Sequence, residues 1–374
     1  MPTVNNTLSA STIVADILRT NALEQTGLIS KSDARKDVGH LIGDLIASED
    51  VAPSDVAIAN EVLDRLTRDE SSRTDSSGIL SKLKQIASDF RGTSATFGKV
   101  AAPSTRVAIE QLKSDAQLAT LPYTGVLPEG STVDRVATSA LAMQVDFHIR
   151  KDTGKGGLVN DGDPAKLGQF IDRKSGLSAN VVVDPASKTV KVIFGGTTAG
   201  LTQSDSFFKR SSGNFVSTLS QWVSNIKSGL GLQSHSLEQA KNLTAKVLDV
   251  VRNDPAFKDY TVSTVGHSKG ASEAVYAALS ANPPLKAVGF SSADLGGKLV
   301  RGLPQENVAR AKELVSHFHV KADSVPNLRY ATPSMRPLGQ EAVIPASGIA
   351  GPLGRHDEFA RHISSWADHQ LAQA

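Results

Sequence analysis

The sequence has no cysteine in 374 residues. Disulfides, thiolate nucleophiles and zinc-thiolate sites are excluded together. The absence does not fix the compartment, since a secreted chain can also lack the residue. Aromatic side chains are scarce, at 5%. Neither sign of charge dominates: 40 Lys+Arg against 38 Asp+Glu leaves +2. That balance gives no basis for nucleic acid as a partner. No apolar run approaches the roughly 18–20 residues of a transmembrane helix. The opening, MPTVNNTLSASTIVADILRT, has no basic n-region and no long apolar core. It reads as a polar, mobile start and not as a Sec signal peptide. What is present is 40% hydrophobic content, enough for a sizeable core, and a length that suits two domains or one domain with an extension.

The strongest local signal lies at YTVSTVGHSKGASEAVYAALSA, from Tyr260 to Ala281. Tyr260 to Val265 is short and β-branched, and reads as a strand. Ala271 to Ala281 is Ala-rich and unbroken, and reads as a helix. Between them stands Gly266-His267-Ser268-Lys269-Gly270, a G-x-S-x-G pentapeptide. Strand, pentapeptide and helix together are the context of a nucleophile elbow, in which the serine sits on a very tight turn. Gly266 and Gly270 lack the Cβ atoms that would crowd it. The helix start behind Ser268 offers unpaired N–H groups and partial positive charge to an oxyanion.

From about Thr12 to Leu121 the apolar spacings of three and four predict helices throughout, with Ser54 or Asp55 and Ser76 or Ser77 as caps. No catalytic pattern occurs there. Residues 1–121 are expected to form a helical extension, a candidate module for a chaperone or another partner. Pro122 to Gly130, PYTGVLPEG, reads as a boundary, and the main domain is expected over 131–374. A helix is predicted from Thr132 to about Arg150, then a loop-like stretch to Ser178, whose Gly154, Gly156 and Gly157 read as a turn. Ala179 to Val183 and Thr189 to Phe194 predict a hairpin ending in Gly195-Gly196-Thr197-Thr198. Ala199 to Gly213 has the composition of a lid, with Phe207 and Phe208 at its tip and Lys209-Arg210 beside them. The competing reading buries both rings in the core. Helices are predicted around Trp222 and from Leu237 to Val251. Lys286 to Phe290, a helix near Gln305 to Val315, and Ser316 to Val320 follow. This alternation predicts a mostly parallel α/β sheet with helices on both faces, and sites beyond the strands' carboxyl ends.

A serine hydroxyl needs a histidine base, and that base needs a carboxylate. Downstream of Ser268, Asp323 follows a strand and precedes a proline turn, with Asp294 as the alternative acid. For the base, His356 lies in a loop at a helix start, and His362 and His369 compete with it. His317 and His319 share a strand face with metal-ligand spacing, but no third ligand is near and no metal is expected. His267 is expected to point away from the chemistry and to shape its neighbours. The oxyanion donors are expected to be the main chain of Lys269 and of Thr197.

Four stretches resemble the class 3 lipase family, an α/β-hydrolase group that includes fungal triacylglycerol lipases and plant phospholipase A1 enzymes. NVVVDPASKTVKVIFGGTT is similar to its hairpin and F-R-G-T-type oxyanion turn. VGHSKG is similar to its G-H-S-[LK]-G elbow. VGFSSADLGG stands in the place of its F-G-x-P-R-V-G strand, and HVKADSVPNL resembles its N-D-x-V-P-x-L acid loop. The resemblance runs from about Val133 to Trp366. It implies Ser268 as nucleophile, Asp323 as acid and Thr197 as an oxyanion residue. RHDEFARH resembles the plant enzymes' histidine motif loosely, at His356. Gly195 stands where the family has arginine, Lys269 where leucine is commoner, and the proline-arginine pair is missing, which bears on substrate preference. The resemblance implies an α/β-hydrolase fold without a cofactor. It also implies hydrolysis of lipid acyl esters, as by a phospholipase A1 or acylglycerol lipase, with transient contact at a membrane surface. An acyltransferase with the same triad, or an inert hydrolase fold that binds a partner, are the alternatives. A Ser/Thr-rich start and helical region before such a domain also resemble bacterial effectors delivered into host cells. That likeness implies secretion without a Sec signal and a secretion chaperone or host partner at the helical region; otherwise the chain is expected in the cytoplasm.

Overall fold

The computed structural model describes residues 9–47, 52–67, 96–153, 157–158, 167–172, 175–196, 235–321, 323, 325–326, 335–346, 356 and 358–373. Three helices come first, Ala10–Gln25, Lys31–Ala47 and Pro53–Thr67. They pack on one another through their own core, which includes Ile13, Ile17, Val38, Leu45, Val62 and Leu66. Ser9 caps the first helix, its Oγ accepting from Thr12 N. At the third, the Asp55 carboxylate accepts from Ala52 N, the reach-back half of a capping box. Ser76, Ser77 and the predicted apolar face from Ile79 to Ile86 lie outside the described residues.

Nine of the described strands form one sheet, ordered β1-β11-β9-β7-β6-β5-β4-β3-β2. They are β1 (Phe97–Lys99), β2 (Gly157–Leu158), β3 (Gln169–Asp172), β4 (Leu177–Asp184), β5 (Thr189–Phe194), β6 (Thr261–His267), β7 (Lys286–Phe290), β9 (Val315–Val320) and β11 (Gly339–Ile344). A separate two-stranded ribbon pairs β8 (Leu295–Gly296) with β10 (Met335–Arg336). From β5 to β1 the strands run parallel. β2, β3 and β4 add an antiparallel meander to β5. Helical residues 235–253 connect β5 to β6, and helix Lys269–Ser280 connects β6 to β7. These are the crossovers that parallel neighbours require.

The strand pattern explains the layers. Val181, Val183, Val190 and Val192 face one side, against Leu141 and Val145 of helix Arg135–Thr153 and against Leu243 and Val247. Val182, Ile193, Val265, Phe290, Val320 and Ile344 face the other. There they meet Leu112 and Ala116 of helix Arg106–Leu118 and Phe359 and Ile363 of helix Phe359–Gln373. Strands covered on both faces read as continuous apolar runs, as VVV does at 181–183. The chain therefore has a mostly parallel sheet with helices on both faces.

Several expectations differ from what is observed. Residues 97–121, expected in the extension, and 122–124, expected in the boundary, contribute a strand, a helix and the short turn Leu121–Thr124 to the sheet and its cover. Strand β1 reads F-G-K, too short for any alternation to show. Burying Leu112 and Leu118 against the sheet stabilises by about 1.5–3 kcal/mol each, so these residues belong energetically to the sheet layer. Val107, predicted on an apolar face, is exposed. The stretch from Lys151 to Ser178 is not all loop: β2 and β3 lie within it, and Gly157 opens β2. The helix predicted over Gln305 to Val315 is two shorter ones, Gln305–Ala309 and Ala311–Leu314. Thr197, the predicted lid with Phe207 and Phe208, and the predicted helix at Trp222 lie outside the described residues.

Candidate active site

The site forms where β6 ends. Ser268 has φ 58° and ψ −124°, a backbone conformation that a side-chain-bearing residue adopts only when its surroundings enforce it. The enforcement is visible. Ser268 N donates to the Phe290 carbonyl at 2.9 Å, tying the turn to the end of β7. A Cβ on Gly266 would lie 2.1 Å from the Gly270 carbonyl oxygen, and one on Gly270 would lie 2.2 Å from that of Phe194. Both obstacles are backbone, so only glycine fits either side of the serine. Helix Lys269–Ser280 starts directly after it, aiming free N–H groups at the turn.

The end of β9 and a residue beyond β11 bring a second pair of groups together. Asp323 follows β9 and is fully buried. Its Oδ2 lies 3.2 Å from Nδ1 of His356, and its Oδ1 accepts from Val325 N at 2.9 Å. Burial alone would raise this carboxyl. The His356 imidazole, with the Val325 N–H, outweighs burial and holds the group below the usual carboxylate value. His356 is also buried. With Nδ1 turned to the carboxylate, Nε2 is the nitrogen left for a substrate-side proton. Of the predicted acids, the structure brings Asp323 to this imidazole. Asp294 instead lines a small polar space with Ser236, Lys269, Ser272 and Glu273.

His267 completes the cluster. Its ring stacks on Phe359 at 4.0 Å between centroids and 9° between planes, and lies 4.6 Å from the His356 ring. Ser268 is the next residue along the chain, so the elbow backbone lies near the Asp323–His356 pair. His267 Nε2 lies 3.1 Å from the carbonyl oxygen of His356. A carbonyl only accepts, so Nε2 carries the proton. Burial first, then the neighbouring His356, push its pKa well below the usual imidazole range, which keeps the ring neutral. The expectation that His267 points away is not met: its ring packs beside that of His356.

The remaining candidates are placed elsewhere. His362 is buried on helix Phe359–Gln373, with Nε2 4.0 Å from the Glu358 carboxylate. His369 is exposed and bonded to the Gln373 side chain at 2.9 Å. His317 donates from Nε2 to the Leu338 carbonyl and accepts at Nδ1 from Ser292, each at 2.7 Å. Both ring nitrogens are thereby engaged in structural bonds. His319 lies 3.4 Å from the Glu341 carboxylate. No cluster of three metal-ligating side chains occurs among the described residues. The Lys269 side chain turns away from the elbow to the Gly176 carbonyl and the buried Glu273 carboxylate. Only its main chain faces the serine.

The sequence reading missed Tyr123. It lies in the Pro/Gly stretch taken as a boundary, and no local pattern marks it. Its hydroxyl lies 2.8 Å from His267 Nδ1 and 2.6 Å from Gly196 N. No described helix is long and apolar enough to cross a membrane.

No family model and no curated protein matches the chain. Solved structures similar to it include the Lip2 lipase of Yarrowia lipolytica, at 16% identity over 70% of this chain and 86% of that one, with a TM-score of 0.40. Another is the Rhizomucor miehei lipase–propeptide complex, at 16% identity over 67% and 74%, with a TM-score of 0.37. A third is a triacylglycerol lipase whose catalytic centre is described as a serine protease triad, at 16% identity over 66% and 83%, with a TM-score of 0.39. At such identities and scores the chemistry of this chain stands on its own geometry.

Proposed function

We propose that the chain is a serine carboxyl-ester hydrolase acting on lipid acyl esters, of the phospholipase A1 or acylglycerol lipase kind. The observation that supports the reading is the buried Asp323–His356 pair at 3.2 Å, its imidazole 4.6 Å ring to ring from His267, the residue before a serine held at positive φ. Ser268 Oγ attacks the acyl carbonyl while His356 Nε2 takes its proton. The negative oxygen is met by the main-chain N–H of Lys269, with Thr197 as the second donor. The tetrahedral adduct collapses, its C–O bond breaks, and the departing alcohol takes the proton from His356. Water then attacks the acyl-serine with the same imidazole as base, releasing the acid and restoring the hydroxyl. Asp323 stays ionised throughout and stabilises the imidazolium.

The lipid class rests on the resemblance of the four stretches to class 3 lipases. A lid at Phe207 and Phe208 and transient contact with a membrane surface belong to the same reading. A helical module over residues 1–121 that meets a chaperone or host partner, and export into a host cell without a Sec signal, rest instead on the separate likeness of the Ser/Thr-rich start and helical region to bacterial effectors, with the cytoplasm as the alternative.

The test is fatty-acid release from phospholipid and triacylglycerol vesicles. Ser268→Ala is expected to lower the rate about 10⁵–10⁶-fold and to abolish labelling by a fluorophosphonate. Release at the wild-type rate would end the reading. Acyl transfer to a supplied sterol or glycerol in preference to water would convert it to an acyltransferase.

A further inference from the structure

Three loops from different strands must stay in register for this site to work, and one side chain joins them. Gly196 N–H, in the turn after β5, donates to the Tyr123 hydroxyl at 2.6 Å. His267, at the end of β6, has its proton on Nε2, because that atom meets the His356 carbonyl at 3.1 Å. Its Nδ1 is therefore an acceptor, and the Tyr123 hydroxyl, 2.8 Å away, is the donor. The chain of bonds runs in one direction: Gly196 N–H to Tyr123, Tyr123 to His267, His267 to the main chain of His356.

From this geometry we infer that Tyr123 is a positioning residue, locking the oxyanion turn and the backbone of the base to the elbow through His267. The inference rests on the hydrolase reading and extends it to a group outside the triad. The turn is close enough for this to matter. A Cβ on Gly196 would lie 2.5 Å from the Tyr123 hydroxyl and 3.2 Å from Ser268 Cβ. Yet the hydroxyl's one proton is committed to His267, and the Gly196 N–H is committed to Tyr123. Neither supplies the oxyanion. Tyr123 therefore acts on placement, and the main chain of Lys269 is left to bind the negative oxygen. Stacking on Phe359 fixes the plane of His267, so the direction of the Tyr123 bond fixes the height of the His356 carbonyl.

The deciding experiment compares the full-length wild type with Tyr123→Phe, which keeps the ring and removes the hydroxyl. With a soluble p-nitrophenyl ester, kcat is expected to fall about 10- to 100-fold, the scale of a misplacement near 1 Å, with KM within about twofold. In a His267→Ala background, Tyr123→Phe is expected to change kcat by less than about twofold, since the link is already cut. An unchanged kcat in the single variant, or losses that multiply in the double, overturn the inference. A third arm needs no variant to fold and no activity. The ¹⁵N resonances of His267 in the wild type should show the Nε2–H tautomer near neutral pH, and the Nδ1–H tautomer would overturn the bridge. If the wild type neither hydrolyses the ester nor takes the fluorophosphonate, the hydrolase reading falls, and the tautomer still decides the bridge separately.

Discussion

The Asp323 carboxylate meets His356 Nδ1 at 3.2 Å with both side chains buried. An acid and a base that are 33 positions apart in sequence thus form one unit with no water between them. Replacing Asp323 by Asn leaves the shape but invites the wrong imidazole tautomer. We expect kcat to fall about 10⁴-fold with KM little changed, measured on a soluble ester. The same pair sets an acid limit on stability. The folded carboxyl titrates below its ordinary value of 3.8. Its stabilisation is therefore present above that value and is lost as pH falls through the lower, folded one. Denaturant midpoints from about pH 5 to about pH 2 should decline in the wild type as pH falls below 3.8 and decline less steeply in Asp323→Asn. Identical slopes would show that the carboxylate is not paired.

Lys269→Met isolates a second buried pair. Glu273 is fully buried, and burial raises its pKa while Lys269 opposes the rise. Without the ammonium the carboxylate loses its charge partner, which costs about 3–5 kcal/mol. A carboxyl with a raised folded pKa binds its proton better in the native state. Its penalty therefore grows as pH rises from the unfolded value near 4.5 through the folded one. Lys269→Met should accordingly be more destabilised at pH 8 than at pH 5. Thermal melts at the two pH values check this, and equal losses would contradict it.

Gly270→Ala tests the elbow's tolerance. The new methyl group would meet the Phe194 carbonyl oxygen at 2.2 Å, and neither side can rotate away. Overpacking of this kind costs about 1–3 kcal/mol or more. A fall in melting temperature is expected, together with a loss of kcat as β5 and the elbow separate. A variant with wild-type melting and rate would show that the turn is looser than described.

Where the sheet domain begins can be tested by deletion. A protein starting at residue 95 keeps β1, helix Arg106–Leu118 and the buried Asp115–Lys191 ion pair. One starting at residue 131 loses all three and strands Lys191 unpaired on β5. The first is expected to fold and the second to be insoluble or molten by circular dichroism. Asp115→Ala in the full chain should cost about 3–5 kcal/mol for the same reason. Cooperative folding of the shorter protein would return the boundary to residue 131.

What could be read in advance follows from how local each signal was. The elbow was legible because its strand, its two glycines and its helix lie within about twenty consecutive residues and obey one steric rule. Asp323 was legible from its place after a strand. His356 was preferred over His362 for its place at the start of the last helix, although its carboxylate partner is 33 positions away. β1 escaped because three residues carry no period, and Tyr123 because its partners are 73 and 144 positions away. The side chains of Phe207, Phe208 and Thr197 lie outside the described residues.

The sheet's edge has a consequence for how the molecule comes into being. β1 pairs in parallel with β11, Phe97 opposite Gly339, and Lys113 reaches Asp368 across the adjoining helices. Among the described strands, the earliest in the sheet is thus paired with the latest. During synthesis it waits for some 240 residues to leave the ribosome, and the imidazole at 356 comes later still. A nascent chain therefore cannot form the Asp323–His356 pair until residue 356 has been made.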